Sequence, residues 1–238
     1  MPDRNEVHTL LESGFLSWAD LATVAVTDNG EPLVPLPESL AGASSAAGKT
    51  DSMAAMIRRQ QDHTGSTIHV RTTLVALLAR AQEALGWMLP GGRLEIVFGY
   101  RHPAIQEEAY ERVRAEILAR TPDLADSDLQ EAVHRWVAVP DVAGHPTGGA
   151  VDVRILAADG TPLDMGTPIG EFVPESYAHS PCIGKAAFHH RQLLRAAMIR
   201  AGFAPFDGEW WHFSYGDREW ARYFNQPAAI YAPLRVPS

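Results

Sequence analysis

Two short blocks of the chain carry side chains that could do metal-assisted chemistry: His145-Pro-Thr-Gly-Gly-Ala-Val-Asp152 and Glu209-Trp-Trp-His212. In the first, a histidine sits on a turn and an aspartate follows on what reads as a strand. Gly148 and Gly149 let the chain fold back tightly, because glycine takes φ > 0 without a Cβ penalty. A carboxylate among small and apolar neighbours needs a counter-charge. A divalent cation would supply it, and so would an ion pair with Arg154. In the second block, two tryptophans wall off water beside Glu209, which raises a carboxyl pKa and suits general acid/base work. Positions three apart on an ideal strand face opposite sides. Glu209 and His212 therefore converge only across a bulge or strand end, which Gly208 permits. Alone, the block reads equally well as a core aromatic pair with two polar edges.

Taken together, the blocks offer two neutral imidazoles and a carboxylate, a ligand set that suits one zinc ion per chain. Three protein ligands, His145, Asp152 and His212, leave a fourth position open for water, the mark of a catalytic site. Glu209 is then the spare carboxylate that takes the water's proton. A third block, Gly99-Tyr-Arg101-His-Pro103, joins a strand to a helix. Arg101 at the strand end can clamp a carboxylate or stabilise an oxyanion. Its other reading is a surface ion pair with Glu107 or Glu108. His189 and His190 are adjacent on a helix and diverge, and His8, His63, His69, His102 and His134 read as surface or boundary residues. Cys182 has no base partner in sequence and reads as an inert thiol. No Gly-x-Ser-x-Gly, Walker loop or dinucleotide fingerprint appears.

The elements that must hold these blocks are legible from periodicity. Leu74, Leu77, Leu78, Ala81 and Leu85 recur at helical spacing within 67–87. Leu94, Ile96 and Phe98 alternate as in a strand over 93–98. Pro103 opens a helix to about Arg120, with Ile105, Ala109, Val113 and Ile117 in a stripe. A shorter helix spans about Ser127–Trp136, with Ser127 as N-cap. Residues 150–156 read as a strand and 157–184 as irregular. The last strong helix is Lys185–Ala201, with Phe188, Leu193, Leu194, Ala197 and Met198 apolar and Gly202 just past its end. Residues 209–213 form a short aromatic strand or strand end. Prolines 32, 35 and 37 suit an extended N-terminal arm, and 41–50 reads as a flexible loop. We expect an arm at 1–50 and a single catalytic domain at 51–238. Helices and strands mix without a βαβ rhythm, so the fold class is α+β.

Composition bounds the partners. The chain has 238 residues and is 46% hydrophobic, enough to build a core without staples. Its 20 Lys+Arg against 29 Asp+Glu leave it acidic, without the basic footprint of a nucleic-acid or anionic-membrane binder. One cysteine excludes an internal disulfide framework. There is no apolar leader segment and no run long enough to span a bilayer, so the expected location is cytoplasmic.

Four blocks, taken in order, resemble the zinc D-alanyl-D-alanine dipeptidases, the VanX-like metallopeptidases: GYR at 99–101, HPTGGAVD at 145–152, LDMGT at 163–167 and EWWHF at 209–213. The resemblance covers about residues 67–224. It implies a small, mostly antiparallel sheet with flanking helices and a zinc site shared with D-Ala-D-Ala carboxypeptidases and the hedgehog signalling domain. It implies zinc on His145, Asp152 and His212, Glu209 as general base, and Arg101 stabilising the developing negative charge. The implied substrate is a small dipeptide of the D-Ala-D-Ala kind, a cell-wall building block. Two positions depart from the pattern. Ala143 stands where the family has a substrate-holding serine, and Gly170 where it has the aspartate that pairs with the substrate ammonium. Glu171 would fill that place only after a one-residue shift. These departures keep a second activity in view, a carboxypeptidase or amidase acting on a longer or N-blocked peptide. A zinc-stabilised binding module is a third reading, and the unligated Glu209 argues against it.

Overall fold

The computed structural model describes residues 4–40 and 50–234. The elements run α1 (Arg4–Glu12), α2 (Trp18–Ala22), β1 (Leu33–Pro35), α3 (Asp51–Thr64), β2 (His69–Arg71), α4 (Thr72–Met88), β3 (Arg93–Phe98), α5 (Pro103–Arg120) and α6 (Asp126–His134). After a 3-10 turn at His145–Thr147 come β4 (Ala150–Leu156), α7 (Lys185–Ala201), β5 (Ala204–Pro205), β6 (His212–Ser214) and α8 (Arg218–Tyr223). A four-stranded sheet has the order β3-β4-β6-β5 with every pair antiparallel, and β1 pairs with β2 in a separate antiparallel ribbon. The α+β expectation with a small antiparallel sheet therefore holds.

The sheet is held by two helices. The stripe Leu74, Leu77, Leu78, Ala81 and Leu85 is buried along α4, and Leu194, Ala197, Met198 and Ala201 are buried along α7. The two helices pack on each other, α4 against β3 and α7 against β4. Val151, Val153 and Ile155, the alternate residues of β4, belong to the same core as Ile96 and Phe213. Each such aliphatic chain contributes about 1.5–3 kcal/mol by leaving water. Phe188, expected in the α7 stripe, lies on its outer side and is exposed.

Several boundaries differ from expectation for local reasons. Residues 69–71 form β2, not the start of α4, because they pair with β1 in register Leu33↔Arg71. The α6 N-cap is Ala125, without a side-chain cap; Ser127 lies inside the helix. The N-terminal arm carries two helices before its extended part, and Ser17 with Asp20 forms a capping box at α2. Helices α3 and α8 were not anticipated. The expected flexible loop at 41–50 lies, save Thr50, outside the described residues; Thr50 caps α3 by accepting from Met53 N. The irregular 157–184 stretch is fastened from within: buried Arg191 donates from Nε to Met165 O at 2.7 Å and from one terminal nitrogen to Glu175 O and Tyr177 O at 2.8 Å. The tail packs back, with Tyr231 buried and its hydroxyl donating to Glu31 at 2.7 Å. Among the described residues, no helix is long and apolar enough to cross a membrane.

Candidate metal centre and its cavity

β4 and β6 are neighbours, and their register places Asp152 directly opposite His212. The 3-10 turn before β4 then folds His145 back over the same spot. Gly148 makes that reversal in the left-handed region at φ +74, and a Cβ there would meet Leu33 at 2.4 Å. Gly149 has no positive φ; it is small because a Cβ would lie 2.4 Å from Tyr215 O. The turn is pinned from below by Arg71, whose Nε donates to Thr147 O at 2.7 Å.

The result is a buried cluster in which one ligand atom each from His145, Asp152 and His212 lies within 4.8 Å of the others. His145 Nε2 is 3.3 Å and His212 Nδ1 is 3.4 Å from Asp152 Oδ1. The far nitrogen of each ring is engaged elsewhere. His145 Nδ1 is 2.8 Å from Gly99 O, and His212 Nε2 is 3.4 Å from Glu219 Oε2. Asp152 Oδ1 itself is buried without a well-formed hydrogen bond. An orphaned carboxylate oxygen facing two imidazole nitrogens fits a divalent cation. The local field asks for positive charge as well: burial alone would lower the His212 pKa, yet Asp152 and Glu219 raise it well above the usual imidazole value. Arg154, the alternative partner of Asp152, pairs instead with buried Glu95 across β3 and β4.

Glu209 and His212 converge because β6 starts only at His212. Residues 209–211 form a turn in which Trp210 N donates to Ser176 O at 3.0 Å, so a strand end, not a bulge, brings them together. Burial pushes the Glu209 carboxyl up to about 7; Asp152 and Glu219 add to this, while His212 and Arg101 oppose it. Arg101 leaves β3 beside the cluster. It donates from a terminal nitrogen to Gln106 Oε1 at 2.7 Å, while its Nε is buried without a partner. The ion pair expected as its alternative goes elsewhere, since Glu108 pairs with Arg59.

All five residues line one cavity of about 200 Å³, together with Met53, Trp136, Ala143, Gly170, Phe172 and Trp211. Both departures from the family pattern thus face it. Gly170 is at φ +82, and a Cβ would lie 2.9 Å from Met53 Cβ and from Thr50 Oγ1. Glu171 does not line the cavity. Among the lining residues, Gln106 and Glu219 carry no signal in the sequence, and His134, which reads there as a surface or boundary residue, lines the cavity as well. Gln106 was hidden because it stands beside the apolar stripe of α5, not in it, and yet is buried. Glu219 was hidden because only the return of α8 onto β6 brings it to His212.

Residues 130–230 match the M15 peptidase family model described as D-Ala-D-Ala dipeptidase. A D-alanyl-D-alanine dipeptidase of Synechocystis sp. is 31% identical over 228 residues, covering 85% of this chain and 89% of that protein. A D-alanyl-D-alanine dipeptidase of Enterococcus faecalis is 29% identical over 89 residues, covering 37% of this chain and 44% of that protein. Among solved structures, the LdcB LD-carboxypeptidase aligns at a TM-score of 0.45 and 18% identity, over 86% of this chain and 79% of that one. With a near-full-length relative and its zinc-type donor set on one cavity, the chain belongs to the D-alanyl-D-alanine dipeptidase family of metallopeptidases.

Proposed function

We propose that this metallopeptidase hydrolyses the peptide bond of a small D-Ala-D-Ala-type peptide, with zinc as its metal. The observation that carries this is the orphaned Asp152 Oδ1 facing two imidazoles, with Glu209 and Arg101 on the same cavity. His145 Nε2, Asp152 Oδ1 and His212 Nδ1 would hold the ion. When bound, zinc polarises the scissile carbonyl and makes a neighbouring water acidic. Glu209, kept basic near neutrality by its buried setting, takes the water's proton and returns it to the leaving amine. Arg101 presents its unpartnered Nε–H to the oxygen on which negative charge develops. Trp211 and Met53 exclude bulk water from the same space. Residues 51–238 act as the catalytic unit and 1–50 as an arm on it, and the expected setting is the cytoplasm, which fractionation would check.

A second reading has its own observation. Gly170 presents backbone where an ammonium partner would stand, and the lining carboxylates Asp152, Glu209 and Glu219 all sit at the metal centre. A peptide whose amino end is blocked or extended asks for no such partner. Metal analysis combined with hydrolysis of free and N-acetylated D-Ala-D-Ala tests both readings. Tight binding of one zinc with Glu209-dependent cleavage of either peptide supports the function. A zinc-loaded protein that cleaves neither overturns it.

A further inference from the structure

His212 is held from both sides. Its Nδ1 faces Asp152 and its Nε2 lies 3.4 Å from the Oε2 of Glu219, an ion-pair distance just beyond the N–H···O hydrogen-bond range. The Glu219 side chain is 12% exposed, so this is an interior carboxylate, not a surface charge that drifted near a ring. Its position is built. Ser214, two residues beyond His212 on β6, donates from Oγ to Asp217 Oδ1 at 2.8 Å. The same oxygen accepts from Trp220 N at 2.9 Å and so caps α8. Arg218, beside Glu219, donates to Leu21 O at 2.9 Å and anchors the helix start to α2. The strand that carries the histidine and the helix that carries the glutamate are thus clamped together.

The two imidazoles of the centre differ in their outer partner. His145 turns its Nδ1 to a backbone carbonyl, Gly99 O, which is neutral. His212 turns its Nε2 to a carboxylate. A carboxylate behind a ligating imidazole fixes the ring's tautomer and plane and makes the metal-facing nitrogen more basic. There is a charge consequence too: with neutral imidazoles, ionised Asp152 and Glu219 together balance a dication, leaving Glu209 free of that duty.

We propose that Glu219 is a positioning residue of the metal centre, accepting from His212 Nε2–H so that the Nδ1 lone pair is directed at the cation beside Asp152. The proposal rests on the reading of His212 as a ligand. It is tested on the full chain by zinc competition with a chelator and by the visible spectrum of the cobalt(II)-loaded protein. Glu219→Met, which removes the acceptor at similar size, should weaken zinc binding by roughly ten- to a hundredfold and alter the cobalt bands. Glu219→Gln keeps an acceptor oxygen and should recover most of both. Should Glu219→Met fail to fold, Glu219→Asp, which withdraws the carboxylate by one methylene, carries the same expectation of weaker zinc and an altered spectrum. Wild-type zinc affinity and wild-type cobalt bands in the folded Met or Asp variant would overturn the proposal alone. If the native protein bound no zinc, or His212→Ala bound it as tightly as native, the metal-centre reading would fall and Glu219 with it.

Discussion

At the residue scale, the division of labour among His145, Asp152, His212, Glu209 and Arg101 can be tested one atom at a time. Glu209→Gln keeps the shape and removes the base, so it should retain zinc and lose roughly two to four orders of magnitude in kcat. Metal analysis and single-turnover rates on the same sample check this, and near-native turnover would refute the base assignment. The sign of the pH dependence follows from the same group. As the proposed base Glu209 would work deprotonated, and burial pushes its carboxyl up to about 7. kcat/KM should therefore fall tenfold per pH unit on the acid side of an apparent pKa at or below about 7, because a bound dication stabilises the carboxylate and moves the limb toward acid. The acid limb should vanish in Glu209→Gln. Arg101→Ala should depress kcat by roughly two to three orders of magnitude, as for loss of one oxyanion donor. A change confined to KM would mean ground-state binding only. The grouping of these five on one cavity was legible in the sequence, because residue type and local spacing carry it. Glu219 and Gln106 were not legible, since each meets its near neighbour in sequence only through the turn that opens a helix, and no periodic pattern prescribes that turn's geometry.

At the element scale, the centre depends on three short pieces: the turn at 145–147, β4 and β6. The turn is bound to β2 through Arg71, a side chain 1% exposed that also donates to Asp28 Oδ2 at 3.0 Å and Ala232 O at 3.2 Å and lies over the Tyr231 ring. Arg71→Ala would leave the buried Thr147 carbonyl without its Nε–H donor and remove the ion pair to exposed Asp28, a loss of about 1–3 kcal/mol. At this chain length that corresponds to a melting shift of roughly 2–12 °C. The zinc affinity of the folded fraction should fall as well, because the His145 turn loses its anchor. Calorimetry with and without zinc checks both, and an unchanged melting point would show the turn to be self-supporting. Periodicity predicted α4, α5, α7, β3 and β4, whose apolar patterns run for many residues. It could not find β1, β2 or β6 with their true ends. Strands of three residues carry little pattern, and their existence is decided by the pairing partner, as at Leu33↔Arg71.

At the scale of the whole molecule, the question is which peptide the cavity accepts. An ammonium brought into a closed site without a partner costs several kcal/mol or is excluded. By the family pattern, an aspartate at 170 would supply the partner. The structure opposes this: Gly170 is left-handed, and its missing Cβ is the space occupied by Met53 and Thr50 at the start of α3. A side chain there would push α3 away from the cavity wall. We expect Gly170→Asp to destabilise the protein by about 1–3 kcal/mol, from backbone strain alone, and to leave kcat/KM for free D-Ala-D-Ala unimproved. The second expectation concerns the native protein. With no acid beyond the metal centre lining the cavity, N-acetyl-D-Ala-D-Ala should be cleaved at least as well as the free dipeptide, because acetylation removes a charge that has no partner there. Exposed Trp136 and Phe172 at the same cavity offer apolar surface to whatever extends from the blocked end. Parallel kcat/KM measurements on the two peptides decide the matter. If the native enzyme preferred the free dipeptide by tenfold or more, an ammonium partner would have to come from Glu209 or Glu219, and the reading of Gly170 as the cause of a shifted substrate would be withdrawn.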